Sequence, residues 1–213
     1  MLELAILGLL KELPLHGYEL KKRLNDSLGH LVGVSYGSLY PALARLEKSG
    51  AIEAVDPHDP SERYVGNIPS TGSISGEAAA ARLRRPLRRS GRTRKAYRIA
   101  TRGQVLLTEL LSAEAPPGAD DERAFALKVA FFRHLEPEAR LHLLHRRRDA
   151  LAGQLARGRE ALAAIAAGRN PRPDRYTRSL LEHETRNAER DLEWVDSLIA
   201  EELQAVELQG GTT

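Results

Sequence analysis

The sequence predicts a mainly α-helical fold in two parts: an N-terminal domain of packed helices closed by a two-stranded hairpin, and a C-terminal domain of antiparallel helices. Three observations predict it. Apolar residues recur at helical spacing through most of the chain, strand-like chain appears only around Ile52–Val55 and Arg94–Ile99, and charge is split between the halves. The 213 residues include 32 Lys or Arg and 29 Asp or Glu. Residues 1–113 hold 17 basic against 11 acidic side chains, a balance of +6, and the remainder 15 against 18, a balance of −3. A basic N-terminal half favours a polyanionic partner, since neutralising phosphates releases condensed counterions.

The first helix is expected over residues 2–12, with Leu2, Ile6, Leu9 and Leu10 on one side, ending ahead of Pro14 because the residue before proline disfavours helix. A second runs from His16 to Leu28, with Tyr18, Leu20, Leu24 and Leu28 inward and Lys21, Lys22 and Arg23 as a basic, solvated cluster. Gly29–Gly33 turns into a third, so that the second and third helices are joined as in helix-turn-helix units. This third helix carries Leu39, Leu43 and Leu46 on one apolar stripe and leaves Tyr36, Tyr40, Arg45 and Lys48 to face outward. Its start has two readings. Ser38 as N-cap places Pro41 at the third helical position, where a missing N–H is harmless; Ser35 as N-cap puts the proline in the second turn. Gly50 ends the helix, and Ile52–Val55 follows in extended chain.

Residues 57–90 are rich in Pro, Ser, Gly, Ala and Arg and read as a mobile insertion within the hairpin. Tyr97 and Ile99 then alternate with Arg94, Ala96 and Arg98 as on a half-buried strand. Paired with Ile52–Val55, it makes a two-stranded wing, and the whole is a winged helix-turn-helix. Thr101 with Gln104 reads as a capping box opening a helix with Val105, Leu106, Leu110 and Leu111 inward. That helix completes a DNA-binding domain at residues 1–113.

Residues 114–120 form a Pro- and Gly-containing linker to a helical dimerisation domain at 121–208, with a disordered tail at 209–213. Asp121–His134 is helical and Pro137 opens a long helix. Along it Leu141, Leu144, Leu151, Leu155, Leu162 and Ile165 fit a coiled-coil seam, interrupted at Arg148 and Gly158. After a turn at Asn170–Pro173, with Asp174 as cap, Tyr176–Val206 is a last helix with Leu181, Leu192, Val195 and Ile199 on one stripe. Leu141, Leu144, Leu151, Leu155, Leu181, Leu192, Val195 and Ile199 are the candidate dimerisation residues.

Double-stranded DNA is the partner this pattern implies. The early residues of a recognition helix reach bases, while hydroxyls and helix-end N–H groups grip phosphates, which singles out Tyr36 and Tyr40. Ser35, Gly37 and Ser38 are short enough for a sugar-phosphate strand to come close. Residues 82–102 hold ten basic side chains and no acid, and Arg92, Arg94 and Lys95 are the candidate phosphate contacts at the wing. The alternative is a solvated tract with no ligand.

Other chemistries find little support. No cysteine is present, which excludes a disulfide framework and a thiolate metal site. His142 and His145 with Glu138 could share a metal only if further ligands approached, so neither metal nor cofactor is expected. There is no glycine-rich phosphate loop and no nucleophile with its base, so no enzyme is expected. Trp194, the single tryptophan, reads as a core or interface residue. No apolar run approaches the ~20 residues that cross a bilayer, and a cytoplasmic protein is expected. The competing reading is a helical protein-protein adaptor with only nonspecific nucleic-acid affinity.

The segments LAILGLLKELPLHGYELKKRL, VSYGSLYPALARLEKSGAIE and RKAYRIATRGQVLL resemble, in order and wording, the PadR family of bacterial transcription regulators. The resemblance covers Leu4 to about Leu111 apart from the insertion, and the remaining helices look like the extended C-terminal domain of the larger members. It implies a winged helix-turn-helix, a homodimer held by C-terminal helices, and repression relieved by a small-molecule effector. The family's recognition-helix contacts fall on Ser35, Tyr36, Gly37, Ser38 and Tyr40, and its wing contacts on Arg92, Arg94 and Lys95. Residues 57–90 lengthen a hairpin that the family keeps compact.

Overall fold

The computed structural model describes residues 1–55, 95–113, 121–169 and 173–210. The expected insertion at 57–90, the linker at 114–120, Arg92 and Arg94 lie outside the described residues. The elements are α1 (Leu2–Glu12), β1 (Leu15–His16), α2 (Gly17–Leu28), α3 (Tyr36–Lys48), β2 (Ile52–Val55), β3 (Ala96–Ile99), α4 (Thr101–Ser112), α5 (Asp121–Val129), a 3-10 turn (Phe132–His134), α6 (Pro137–Ala166) and α7 (Arg175–Gly210). The fold is mainly helical, as predicted. It divides into two compact units, Met1–His134 and Leu135–Thr213.

In the first unit α1 is the hub. Every residue from Leu4 to Leu10 is buried, because α2, α3, α4 and β3 all pack against this helix. Periodicity alone marks one apolar side on this helix; its surroundings cover nearly all of it. Leu20, Leu24 and Leu28 of α2 and Leu39, Leu43 and Leu46 of α3 complete the core, as their spacing requires. Tyr18, expected inside, is 65% exposed, since it sits off the Leu20–Leu24–Leu28 stripe.

Among the described residues the sheet has three strands in the order β1-β3-β2, one more than predicted. Leu15 pairs with Tyr97 and His16 with Ala96, while Ile52 pairs with Ile99 and Val55 with Ala96, all antiparallel. His16 therefore belongs to β1 and not to the second helix. Its backbone N–H donates to the Glu19 carboxylate at 3.0 Å, which closes the start of α2. Two residues are too few for period-two alternation to register.

The end of α3 follows the glycine cap read from the sequence. Gly50 has φ 73, the Gly50 N–H donates to the Glu47 carbonyl and the Ala51 N–H to that of Leu46, together a Schellman motif. The chain then runs through β2. At the other end of the hairpin, the Ala100 N–H donates to the Ala51 carbonyl at 2.9 Å, which holds Ala100 extended and makes it the N-cap of α4. Thr101 is thus inside the helix and makes no capping box; Gln104 instead accepts from Lys11 Nζ at 2.6 Å. Gly103, Leu107 and Leu111 are the buried positions of α4, and Val105 is 55% exposed.

The stretch 121–134, which the sequence reading placed in the C-terminal domain, packs in the first unit. Phe131 is 2% exposed and lies where a Cβ on Gly8 would stand, 2.4 Å from that position. Arg133 pairs with Glu12, and the Lys128 ammonium donates to the Ala113 carbonyl. His134 stacks on Phe131 with ring centroids 6.3 Å apart, and its Nε2 is buried with no partner. Burial, then Arg133 and Lys11, hold its pKa below the ordinary 6.5, against a smaller opposing contribution from the Gly8 backbone. The unfolded chain therefore binds the extra proton more readily. Stability present above pH ~6.5 is lost as pH falls through the folded-state value. Urea midpoints at pH 8 and pH 5 should differ more for the wild type than for His134→Gln; an equal acid loss in both would remove His134 from the explanation.

The second unit is a two-helix hairpin in which α6 and α7 pack along their length. Pro137 opens α6 at its expected place. Leu144, Leu151 and Leu155 are buried together with Ala188, Val195 and Ile199. The two apparent seam breaks have separate explanations. Gly158 is where Thr185 of α7 comes closest, its Oγ1 2.4 Å from the position of a Cβ, and Arg148 donates to Asp196 across the helix pair at 2.7 Å. Asp174 caps α7, accepting from the Tyr176 and Thr177 N–H groups at 2.8 and 3.2 Å and from the Thr177 hydroxyl at 2.7 Å. These bonds hold its carboxyl below the ordinary range. The helix continues to Gly210, past residue 209 where a tail was expected to begin.

Candidate nucleic-acid interface

The first turn of α3 is built by reciprocal serine capping. Ser35 Oγ accepts from the Ser38 N–H and Ser38 Oγ from the Ser35 N–H, each at 3.2 Å, so the rival cap is the one adopted. Pro41 consequently lies in the second turn of α3 and offers no N–H to the Gly37 carbonyl. Ser35, Tyr36, Gly37, Ser38, Tyr40 and Pro41 are all exposed, while Leu39, Ala42 and Leu43 behind them are at most 1% exposed. A rigid buried stripe thus carries a continuous polar and aromatic surface.

Tyr36 and Tyr40 are 47% and 48% exposed, which places neither ring in the core. They stack on each other with centroids 6.1 Å apart and planes 13° apart. Lys21 Nζ of α2 lies 3.3 Å from the Tyr36 ring centroid. Lys21 was read from sequence as part of a solvated charge cluster; the ring contact is what distinguishes it from Lys22.

Lys95, an expected phosphate contact, and Arg45, expected to face outward on the third helix, both have acidic partners. Arg45 donates through Nε and Nη2 to the Glu3 carboxylate, at 3.2 and 3.1 Å, and Lys95 Nζ lies 3.1 Å from Glu47 Oε1. The hydrogen bond to Glu47, and then the charge of that carboxylate, raise the Lys95 pKa above its ordinary value. Tyr97 is raised too, first by burial and then by Glu47. All four ion-pair members keep substantial solvent exposure, so each pair adds little to stability and can open at small cost. Lys48 is exposed on the same helix. Lys95 stands immediately before β3, so the loop end of the two wing strands and α3 meet at the Glu47–Lys95 pair. No group of three or more His, Asp or Glu side chains among the described residues could hold a metal ion, His142 and His145 included.

A helix with a capped, exposed first turn, seated on a buried core beside a small antiparallel sheet, fits the winged helix-turn-helix that the PadR resemblance implies, with one strand more than the expected two-stranded wing. Residues 6–65 match the family model described as the transcriptional regulator PadR-like family. Over those residues the N-terminal module is similar to the PadR-like family. Beyond this PadR-like module, residues 123–202 match a second family model, virulence activator alpha C-term. It begins in α5, ahead of the division between the compact units.

Comparison with solved structures finds PadR from Bacillus subtilis in complex with operator DNA, 18% identical, with 94% of this chain and 98% of that chain covered and a TM-score of 0.38. The same protein in complex with p-coumaric acid is 20% identical, with 94% of each chain covered and a TM-score of 0.36. The PadR-like regulator BC1756 from Bacillus cereus is 15% identical, with 96% and 99% covered and a TM-score of 0.35. Comparison with curated proteins gives no match. Among the described residues no helix is long and apolar enough to cross a membrane.

Proposed function

We propose that this chain is a sequence-specific double-stranded DNA-binding transcription regulator that works as a homodimer and represses by occluding a promoter. The observation that supports this most is the exposed Ser35–Tyr40 turn, capped at its start and held by buried Leu39 and Leu43, within a module of a transcriptional regulator family. Ser35, Gly37 and Ser38 admit a phosphate strand, Tyr36 and Tyr40 face the base edges, and Arg45, Lys48, Arg92, Arg94 and Lys95 neutralise flanking phosphates. The protein acts by binding, without catalysis, in the cytoplasm, and a small-molecule effector relieves it.

Dimerisation through the helical hairpin is part of the proposal. Leu144, Leu151, Leu155, Val195 and Ile199 are already covered within one chain. Half-buried Leu141, Leu181 and Leu192, with exposed Leu180 and Trp194, supply apolar area for a second copy. A two-fold dimer places its recognition helices about 34 to 36 Å apart, or a multiple of that, on a near-palindromic operator.

Selection of bound fragments from a random duplex pool tests the reading. A regulator enriches one near-palindromic sequence and prefers it over competitor DNA by roughly a thousandfold or more at physiological salt. A pool that emerges unenriched would favour the adaptor reading and end this one.

A further inference from the structure

The four residues around the tyrosine pair form a closed arrangement that neither helix contains alone. Gly17 and Lys21 are i and i+4 on α2, and Tyr36 and Tyr40 are i and i+4 on α3, so each pair shares one helix face. Lys21 Nζ sits 3.3 Å from the centroid of Tyr36, and Tyr36 stacks on Tyr40. Tyr40 in turn lies against Gly17, where a Cβ would come within 3.3 Å of the ring and 3.5 Å of the hydroxyl. Both ends of the aromatic stack are therefore anchored on α2.

We infer that Lys21 is a positioning residue for DNA recognition, fixing Tyr36 so that the ring meets duplex DNA through its edge and hydroxyl. An ammonium over the ring is attracted by the negative face of the aromatic system and occupies that face. A base cannot stack where the ammonium lies. Stacking platforms for single strands present open ring faces, whereas duplex recognition uses base edges in a groove. The arrangement thus selects paired over unpaired DNA. Gly17 supports it from the other end, because any side chain there would press on Tyr40.

This inference rests on the DNA-binding reading, and a duplex selected by the wild-type protein is the probe. Affinities for that duplex, for a random duplex and for the matching single strand are measured across a salt series, with urea midpoints as the folding control. Lys21→Met is expected to lower the preference for the selected over the random duplex about threefold to fivefold. Lys21→Arg, whose guanidinium also sits over aromatic rings, is expected to keep it. In a Tyr36→Ala background Lys21→Met should cost no further preference, because the ring it positions is gone. Equal losses on both duplexes, with the salt slope reduced by about one whether or not Tyr36 is present, would make Lys21 a plain phosphate contact and overturn the inference. So would an unchanged preference in Lys21→Met, or wild-type binding to the single strand as tight as to the duplex. Failure of the wild type to select any duplex would instead bring down the DNA-binding reading itself.

Discussion

Gly103→Ala is expected to destabilise the N-terminal unit by about 2–4 kcal/mol, even though alanine is the better helix former by about 1 kcal/mol. A Cβ at Gly103 would stand 2.0 Å from the Ala51 carbonyl oxygen and 2.8 Å from Ile99 Cγ1. The oxygen is backbone, and it accepts the Ala100 N–H that sets the start of α4. It has nowhere to turn. Relief requires α4 to shift away from β2, which loosens Leu107 and Leu111, now 2% and 0% exposed, from the core. Each such side chain contributes about 1.5–3 kcal/mol when fully buried, so partial unpacking outweighs the propensity gain. Urea unfolding of the two proteins decides the matter. A variant as stable as the wild type would mean that α4 approaches the sheet less closely than described.

Tyr36→Ala should leave the fold intact and weaken binding to the selected duplex about tenfold or more, with a much smaller loss on random DNA. The ring is 47% exposed, and the cap of α3 comes from Ser35 and Ser38, so its removal opens no cavity and breaks no capping bond. What disappears is an aromatic edge and a hydroxyl at the first position of α3. A contact with base edges discriminates between sequences, whereas a contact with phosphate does not. Competition titrations on both duplexes measure the difference. Equal losses would make Tyr36 a residue that orients the protein on DNA without reading it.

Local pattern disclosed much of this fold. The Leu39–Leu43–Leu46 stripe, the Gly50 cap, the Pro137 start and the Asp174 cap each depend on residues a few positions apart. Their physics is written in short windows. The misplaced features are non-local. β1 exists because Leu15 and His16 meet Tyr97 and Ala96 far along the chain, and Thr101 lost its capping role because Ala51 claims Ala100. Phe131 looked like part of a C-terminal helix until Gly8 supplied a place for it. Gly158 looked like a flaw in a seam and is where Thr185 fits.

At the candidate site the exposure of the tyrosines and serines was legible because they fall off the Leu39–Leu43–Leu46 stripe at the start of the third helix, and Lys95 was marked by a one-sided basic tract running into a strand. The acidic partners were not. Glu3 and Glu47 lie 42 and 48 positions from Arg45 and Lys95, and nothing in their local sequence marks them. Lys21 was visible only as charge. Its spacing from Gly17, matched by that of Tyr40 from Tyr36, was the available signal.

The Glu3–Arg45 and Glu47–Lys95 pairs also alter what a salt titration can count. A lysine bathed in water meets a phosphate by displacing condensed cations from the nucleic acid, and each such meeting steepens the dependence of affinity on ionic strength. A lysine that must first part from a carboxylate leaves that carboxylate to recruit a cation of its own, which returns part of the mobile charge just set loose. The slope for this protein should therefore understate how many basic side chains touch the backbone, and replacing Glu47 with an uncharged residue should steepen it.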